Sequence, residues 1–148
     1  MTRIEATRVV PASREEVFAF LSDLGNHWAV AGRWIEVVAV DGKGDGGHVR
    51  IRGPLGLHRT AVTSVDRVEP PRRLEGTARL GGTRAEVAWT LRARDAGTTE
   101  VGLAATVLRS GALDRVVLRL GGAAWMRRLF AATLAHLAER FVSSSARA

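Results

Sequence analysis

Hydrophobic and polar positions fall into three textures along the chain. Arg3 to Val10 alternates weakly, as a strand does, and Pro11 ends the run. Ser13 then stands as a helix N-cap, with Glu16 three residues on completing a capping box. Val17, Phe20, Leu21 and Leu24 recur at helical spacing, and Gly25 is expected to end the helix. A short second helix or turn is expected over Asn26–Ala31, closed by Gly32.

Period-two runs broken by turn signals occupy Trp34 to Thr106. Trp34–Val40 leads into a Gly-rich turn ending at Gly47. His48–Arg52 sets Val49 and Ile51 on one side, and Gly53-Pro54 and Gly56 break it. His58–Val68 stops at Pro70-Pro71, and Arg73–Leu80 at Gly81-Gly82. In Arg84–Arg94 the residues Ala85, Val87, Trp89, Leu91 and Ala93 share a face. In Thr99–Val107 Val101, Leu103, Ala105 and Val107 do the same. Past Ser110 the period lengthens. Leu113, Val117, Leu120, Ala124, Phe130, Leu134, Leu137 and Phe141 predict an apolar stripe on one helix of about thirty residues. Gly121-Gly122 falls inside it and costs on the order of 2 kcal/mol against alanine, so a kink or a break is expected there. Ser143–Ala148 reads as a flexible polar tail to a domain of residues 1–142.

The predicted class is therefore α+β, with an antiparallel curved sheet of about seven strands wrapped on a long C-terminal helix. One or two short helices follow strand 1. The sheet has one apolar face, and the long helix is its natural cover.

Composition narrows the chemistry more than it specifies it. The 148 residues suffice for one domain with its own core. With no cysteine, disulfides, zinc–thiolate sites and thiol nucleophiles are excluded, and a reducing cytoplasm is the expected location. No signal-peptide pattern or membrane-spanning run is present in the sequence. The net charge of +7 comes from arginines scattered along the chain, with Lys43 the lone lysine. A basic solvated surface is expected rather than a specific nucleic-acid site. The histidines, His27, His48, His58 and His136, have no metal-binding spacing, and no cofactor is expected. The glycines of Gly42–Gly47 lack the lysine-serine ending of a phosphate loop and read as a hairpin.

Several stretches together resemble the START-like (SRPBCC) superfamily and its helix-grip fold, which includes the birch-pollen-allergen-like proteins. They are Val9-Val10-Pro11-Ala12-Ser13-Arg14-Glu15-Glu16-Val17-Phe18-Ala19-Phe20-Leu21-Ser22-Asp23-Leu24, Trp34, Val68-Glu69-Pro70-Pro71-Arg72-Arg73-Leu74 and Gly97-Thr98-Thr99-Glu100-Val101. The resemblance spans nearly the whole chain. It implies a cavity between sheet and C-terminal helix for a small hydrophobic or amphipathic ligand such as a lipid, polyketide or quinone. Gly53-Pro54-Leu55-Gly56 is similar to the branch containing the small accessory protein of carbon monoxide dehydrogenase, which implies an accessory or membrane-associated scaffold. Polyketide cyclases and aromatases form another branch.

The residues expected to line the cavity are Trp28, Trp34, Ile51, Val87, Trp89, Leu91, Leu103, Trp125 and Phe130. Rigid aromatic walls with few polar groups suit an apolar ligand. Ordinary core packing is the alternative, above all for Trp89. Cyclase chemistry needs an acid or base and an enolate-stabilising group inside the cavity. The inward polar candidates are Arg59, Thr60, Ser64 and Glu36. No motif demands catalysis, and the catalytic residues, the ligand's identity and the oligomeric state are left open.

Overall fold

The computed structural model describes residues 2–31, 35–40, 46–52 and 58–147. Strand β1 (Thr2–Val10) is followed by helices α1 (Arg14–Leu21) and α2 (Leu24–Ala31). Strands β2 (Ile35–Val40), β3 (Gly46–Arg52), β4 (His58–Glu69), β5 (Arg73–Leu80), β6 (Thr83–Asp95) and β7 (Thr98–Arg109) come next. Helix α3 (Ala112–Val117), a wide turn over Leu118–Gly122 and helix α4 (Ala123–Arg147) complete the chain. Trp34, Gly53-Pro54-Leu55-Gly56 and most of the glycine-rich turn lie outside the described residues.

The seven strands form one antiparallel sheet in the order β1-β7-β6-β5-β4-β3-β2. From β2 to β7 the chain is a simple meander. β1 and β2 are the two edges, so α1 and α2 carry the chain from one edge to the other. α4 then packs chiefly on β1, with lesser contacts to α2 and β7. The expected α+β helix-grip architecture is thus present.

Local chemistry explains the helix starts and stops. The Ser13 hydroxyl accepts a hydrogen bond from the Glu16 amide at 3.2 Å, satisfying a free N–H of the first turn. α1 ends at Leu21, four residues before Gly25. There the Ser22 amide and hydroxyl both donate to the Phe18 carbonyl, at 2.9 and 2.8 Å. Gly25 lies in the first turn of α2 instead of closing α1.

The long helix is broken where the glycine pair suggested. Gly121 has φ +107°, open to glycine but strained for other residues, and Leu120 beside it also leaves helical angles. A Cβ on Gly122 would sit 2.6 Å from the Val117 carbonyl oxygen. The break divides the predicted stripe. Phe130, Leu134 and Leu137 are buried, and Phe141 is half-buried against Phe20. Leu113 and Val117 are exposed, because the turn aims α3 away from the core, and Leu120 in the turn and Ala124 at the start of α4 are exposed as well. α4 continues helically past Ser143 to Arg147.

Ile4, Val10, Val17, Leu21, Leu91, Val101, Leu134 and Leu137 anchor the main core. Thr99 joins it with its hydroxyl donating to the Ala12 carbonyl at 2.8 Å, which ties β7 to the start of α1. Val49 and Ala61 form a smaller cluster with half-buried Ile51, Val65 and Leu80. Ala93, expected inward, is exposed: the register shifts between Ala93 and Asp95 as β6 runs past the core.

Candidate functional site

The inner face of the sheet is unevenly covered. Under α1, α2 and α4 it is closed. Towards β3, β4 and β5 the buried inward residues Val49, Ala61 and Leu74 are interspersed with small or half-buried ones. Gly76 and Ala78 continue the inward row of β5, and Ile51, Val65, Leu80 and Val87 all retain partial exposure. Met126 and Ala123, on the first turn of α4, are partly buried against the main core. Inward apolar side chains that keep some exposure border an opening rather than sealed interior. The candidate site is therefore the concave face between the two apolar clusters.

The expected ligand residues divide accordingly. Ile51 and Val87 are half-buried on this face, and Trp125 is half-buried on α4. Trp89, Leu91, Leu103 and Phe130 belong to the closed core. Trp89 pairs across the sheet with Leu74 on one side and Leu103 on the other, and is only 5% exposed. Trp28 is in α2, but its side chain lies outside the described residues, as does all of Trp34.

One polar group packs on this core. The His27 ring tilts against Trp89 with centroids 5.3 Å apart. Its Nε2 meets the Leu21 carbonyl, which can only accept, so Nε2 carries the proton and Nδ1 of the neutral ring is an acceptor. Burial holds the imidazole pKa below its ordinary 6.5, outweighing the Leu21 carbonyl and the Asp23 charge, which pull upward. His27 is neutral at pH 7. The sequence marks this histidine but not its aromatic partner, far away in the chain.

A second polar cluster closes one end of the concave face. Arg59 on β4 shares the inward side with Ala61, and its guanidinium forms a two-pronged ion pair with Asp114 of α3. Arg59 also donates to the Leu80 carbonyl at 3.2 Å. The Thr83 hydroxyl donates to the same carboxylate and accepts from the Gly111 amide at 3.2 Å. Partial burial pushes the Asp114 carboxyl upward, but the bonds from Arg59 and Thr83 and the Arg59 charge hold it below the usual carboxylate range. Arg59 is spent on anchoring α3. Thr60 and Ser64, also expected inward, are exposed on the other face, because the strand period allots alternate residues to opposite sides. Ser64 donates to Asp66 at 2.9 Å. Glu36 lies in β2, and its side chain is outside the described residues.

Two grooves lie away from this face. One of about 610 Å³, at the β6–β7 hairpin, is bordered by Val9, Arg92, Arg94, Asp95 and Glu100. Another, of about 390 Å³, is bordered by Val62, Asp66, Arg79 and Arg84 on the outer face. Neither includes a residue expected to line the cavity with apolar surface, though Ser64, one of the polar candidates, borders the second. Among the described residues no group of acidic, histidine or cysteine side chains could hold a metal, and no helix is long and apolar enough to cross a membrane.

A curved antiparallel sheet gripping a C-terminal helix, with an apolar concave face, is the START-like architecture. The family model for polyketide cyclase / dehydrase and lipid transport matches residues 1–142, and the chain belongs to that family. Among solved structures it is similar to TTHA0849 from Thermus thermophilus, with a TM-score of 0.71 and 22% identity over 97% of this chain and 99% of that one. A START superfamily protein from Mycobacterium smegmatis aligns with a TM-score of 0.58 and 15% identity, over 93% of this chain and 92% of that one. DynU16, from the dynemicin biosynthetic locus, aligns with a TM-score of 0.60 and 20% identity, over 97% of this chain and 48% of that one. At these identities the likeness concerns the fold. No curated protein sequence matches the chain.

Proposed function

We propose that the protein binds and carries a small hydrophobic or amphipathic ligand on the concave face of its sheet. The observation that carries this reading is the row of inward apolar side chains left half-buried, Ile51, Val65, Leu80 and Val87, beside a sealed core. Burial of an apolar ligand there would supply about 25 cal/mol per Å² of surface removed from water, before the cost of association. Trp125 borders the ligand, while Trp89, Leu91, Leu103 and Phe130 form the wall behind it. Trp28 and Trp34 complete the site in this proposal. The family description, with lipid transport in it, supports the ligand class. The cysteine-free composition suits a reducing compartment, so the cytoplasm is the proposed location.

The test is native mass spectrometry of protein purified from its own host, followed by denaturation and identification of released small molecules. A reproducible apolar compound at one per chain is expected. Bare protein that also fails to take up an apolar fluorescent probe would remove the carrier reading and leave an accessory scaffold.

A second reading, a polyketide cyclase or aromatase, draws on His27, a neutral imidazole packed on Trp89 in an apolar wall. A base of this kind is what proton abstraction from an activated methylene requires. Turnover of a polyketide thioester, abolished by His27→Phe while probe binding persists, would favour it over simple carriage.

A further inference from the structure

Helix α3 is built inside out. An amphipathic surface helix normally turns its apolar side to the core. In α3 no residue is buried, and the contact that holds it to the sheet is polar: Asp114 on Arg59 and Thr83. The spacing i, i+3, i+4 puts Leu113, Val116 and Val117 along one side, at 72%, 51% and 42% exposure. Leu120, in the turn that follows, is 81% exposed. Single exposed leucines need no explanation, but four large aliphatic side chains within eight residues make a patch of the kind that marks an interaction surface.

The charge around the patch selects its occupant. Residues 109–128 contain five arginines against one aspartate, and that aspartate is already engaged by Arg59. Arg115 and Arg119 are exposed on the same segment, and Arg127 and Arg128 on the start of α4. A second copy of the chain would bring like charges together. A surface that presents anions and accepts aliphatic side chains just beneath them satisfies both halves of the pattern.

We propose that α3 and the turn after it form a docking surface for an anionic lipid bilayer. Leu113, Val116, Val117 and Leu120 enter the boundary between headgroups and acyl chains, and the arginines pair with phosphates while their stems lie along the apolar layer. This surface is separate from the concave face, and vesicle binding is expected whether or not that face holds a ligand.

The test is co-sedimentation of the full chain with vesicles of phosphatidylglycerol and phosphatidylcholine in equal parts, and with phosphatidylcholine alone. Binding is expected to the anionic vesicles and to weaken as salt is raised. The double variant L113S/L120S alters no charge and touches only exposed positions, so its thermal midpoint should hold while partitioning falls at least about tenfold. R115Q/R119Q should also fall about tenfold or more. Three results would overturn the proposal. One is binding by L113S/L120S equal to that of the unaltered chain, which would reduce the effect to net charge. Another is no binding to either vesicle. The third is a dimer of the unaltered chain that L113S/L120S converts to a monomer, which would give the patch to a second copy.

Discussion

Replacing Trp89 with alanine separates a sealed core from an open site at one position. Trp89 lies between Leu74 and Leu103 on the inner face, and all three are at most 5% exposed. A large aromatic deleted from such surroundings removes its transfer free energy and leaves a void that neighbours only partly fill. The expected cost is about 3–5 kcal/mol, a large share of the roughly 5–15 kcal/mol that stabilises a domain. At about 2–4 °C per kcal/mol for a chain of this size, the midpoint should fall by roughly 6–20 °C. The companion change Val87→Ala lies two residues away on the same strand face, where the side chain is only half-buried, and should cost about 1 kcal/mol or less. Urea unfolding at fixed pH gives both values. Proton NMR adds a readout specific to the contact, since water entering the void should raise the His27 pKa towards 6.5. A Trp89→Ala cost below about 1 kcal/mol, with the His27 titration unmoved, would refute the placement of Trp89 in the core.

Acid should weaken the fold in a window set by His27. Its pKa is depressed in the folded state, so the unfolded chain binds the proton more readily. The stability it confers is complete above the unfolded value of about 6.5 and is lost as pH falls below it. Urea midpoints between pH 7 and pH 5 should decline, and His27→Gln should flatten the decline; equal slopes in the two proteins would assign the effect to other groups. Asp114→Asn should loosen α3 without unfolding the domain. The ion pair is partly exposed, with Arg59 at 40%, so screening keeps the global cost near 1 kcal/mol. Amide exchange over residues 110–122 should quicken while β6 and β7 stay protected, and unchanged exchange there would show that α3 is held by something else.

How legible each element was depends on whether its pattern carries its own reference direction. β6 and β7 alternate strictly and lie against helices, so apolar positions such as Val101 and Leu103 named the inner face directly. The pattern failed at Ala93, where the register shifts and the strand outruns its cover. Periodicity failed differently at Leu113–Leu120. It reports that one side of a helix is apolar, not what that side meets, and extending the stripe of α4 backwards assumed that both halves share an axis. Gly121-Gly122 signalled that they need not, yet only the backbone angles show where α3 then points. The candidate site was legible to the extent that it is made of strand positions, as with Ile51 and Val87. Its polar contacts were not, since His27 on Trp89 and Arg59 on Asp114 join residues far apart in sequence, with no motif linking them. The break and the outward patch are coupled. An unbroken helix would need its apolar side turned to the sheet throughout, whereas the turn at Gly121 leaves α4 in the core and frees α3 to face outward, held by the Asp114 carboxylate.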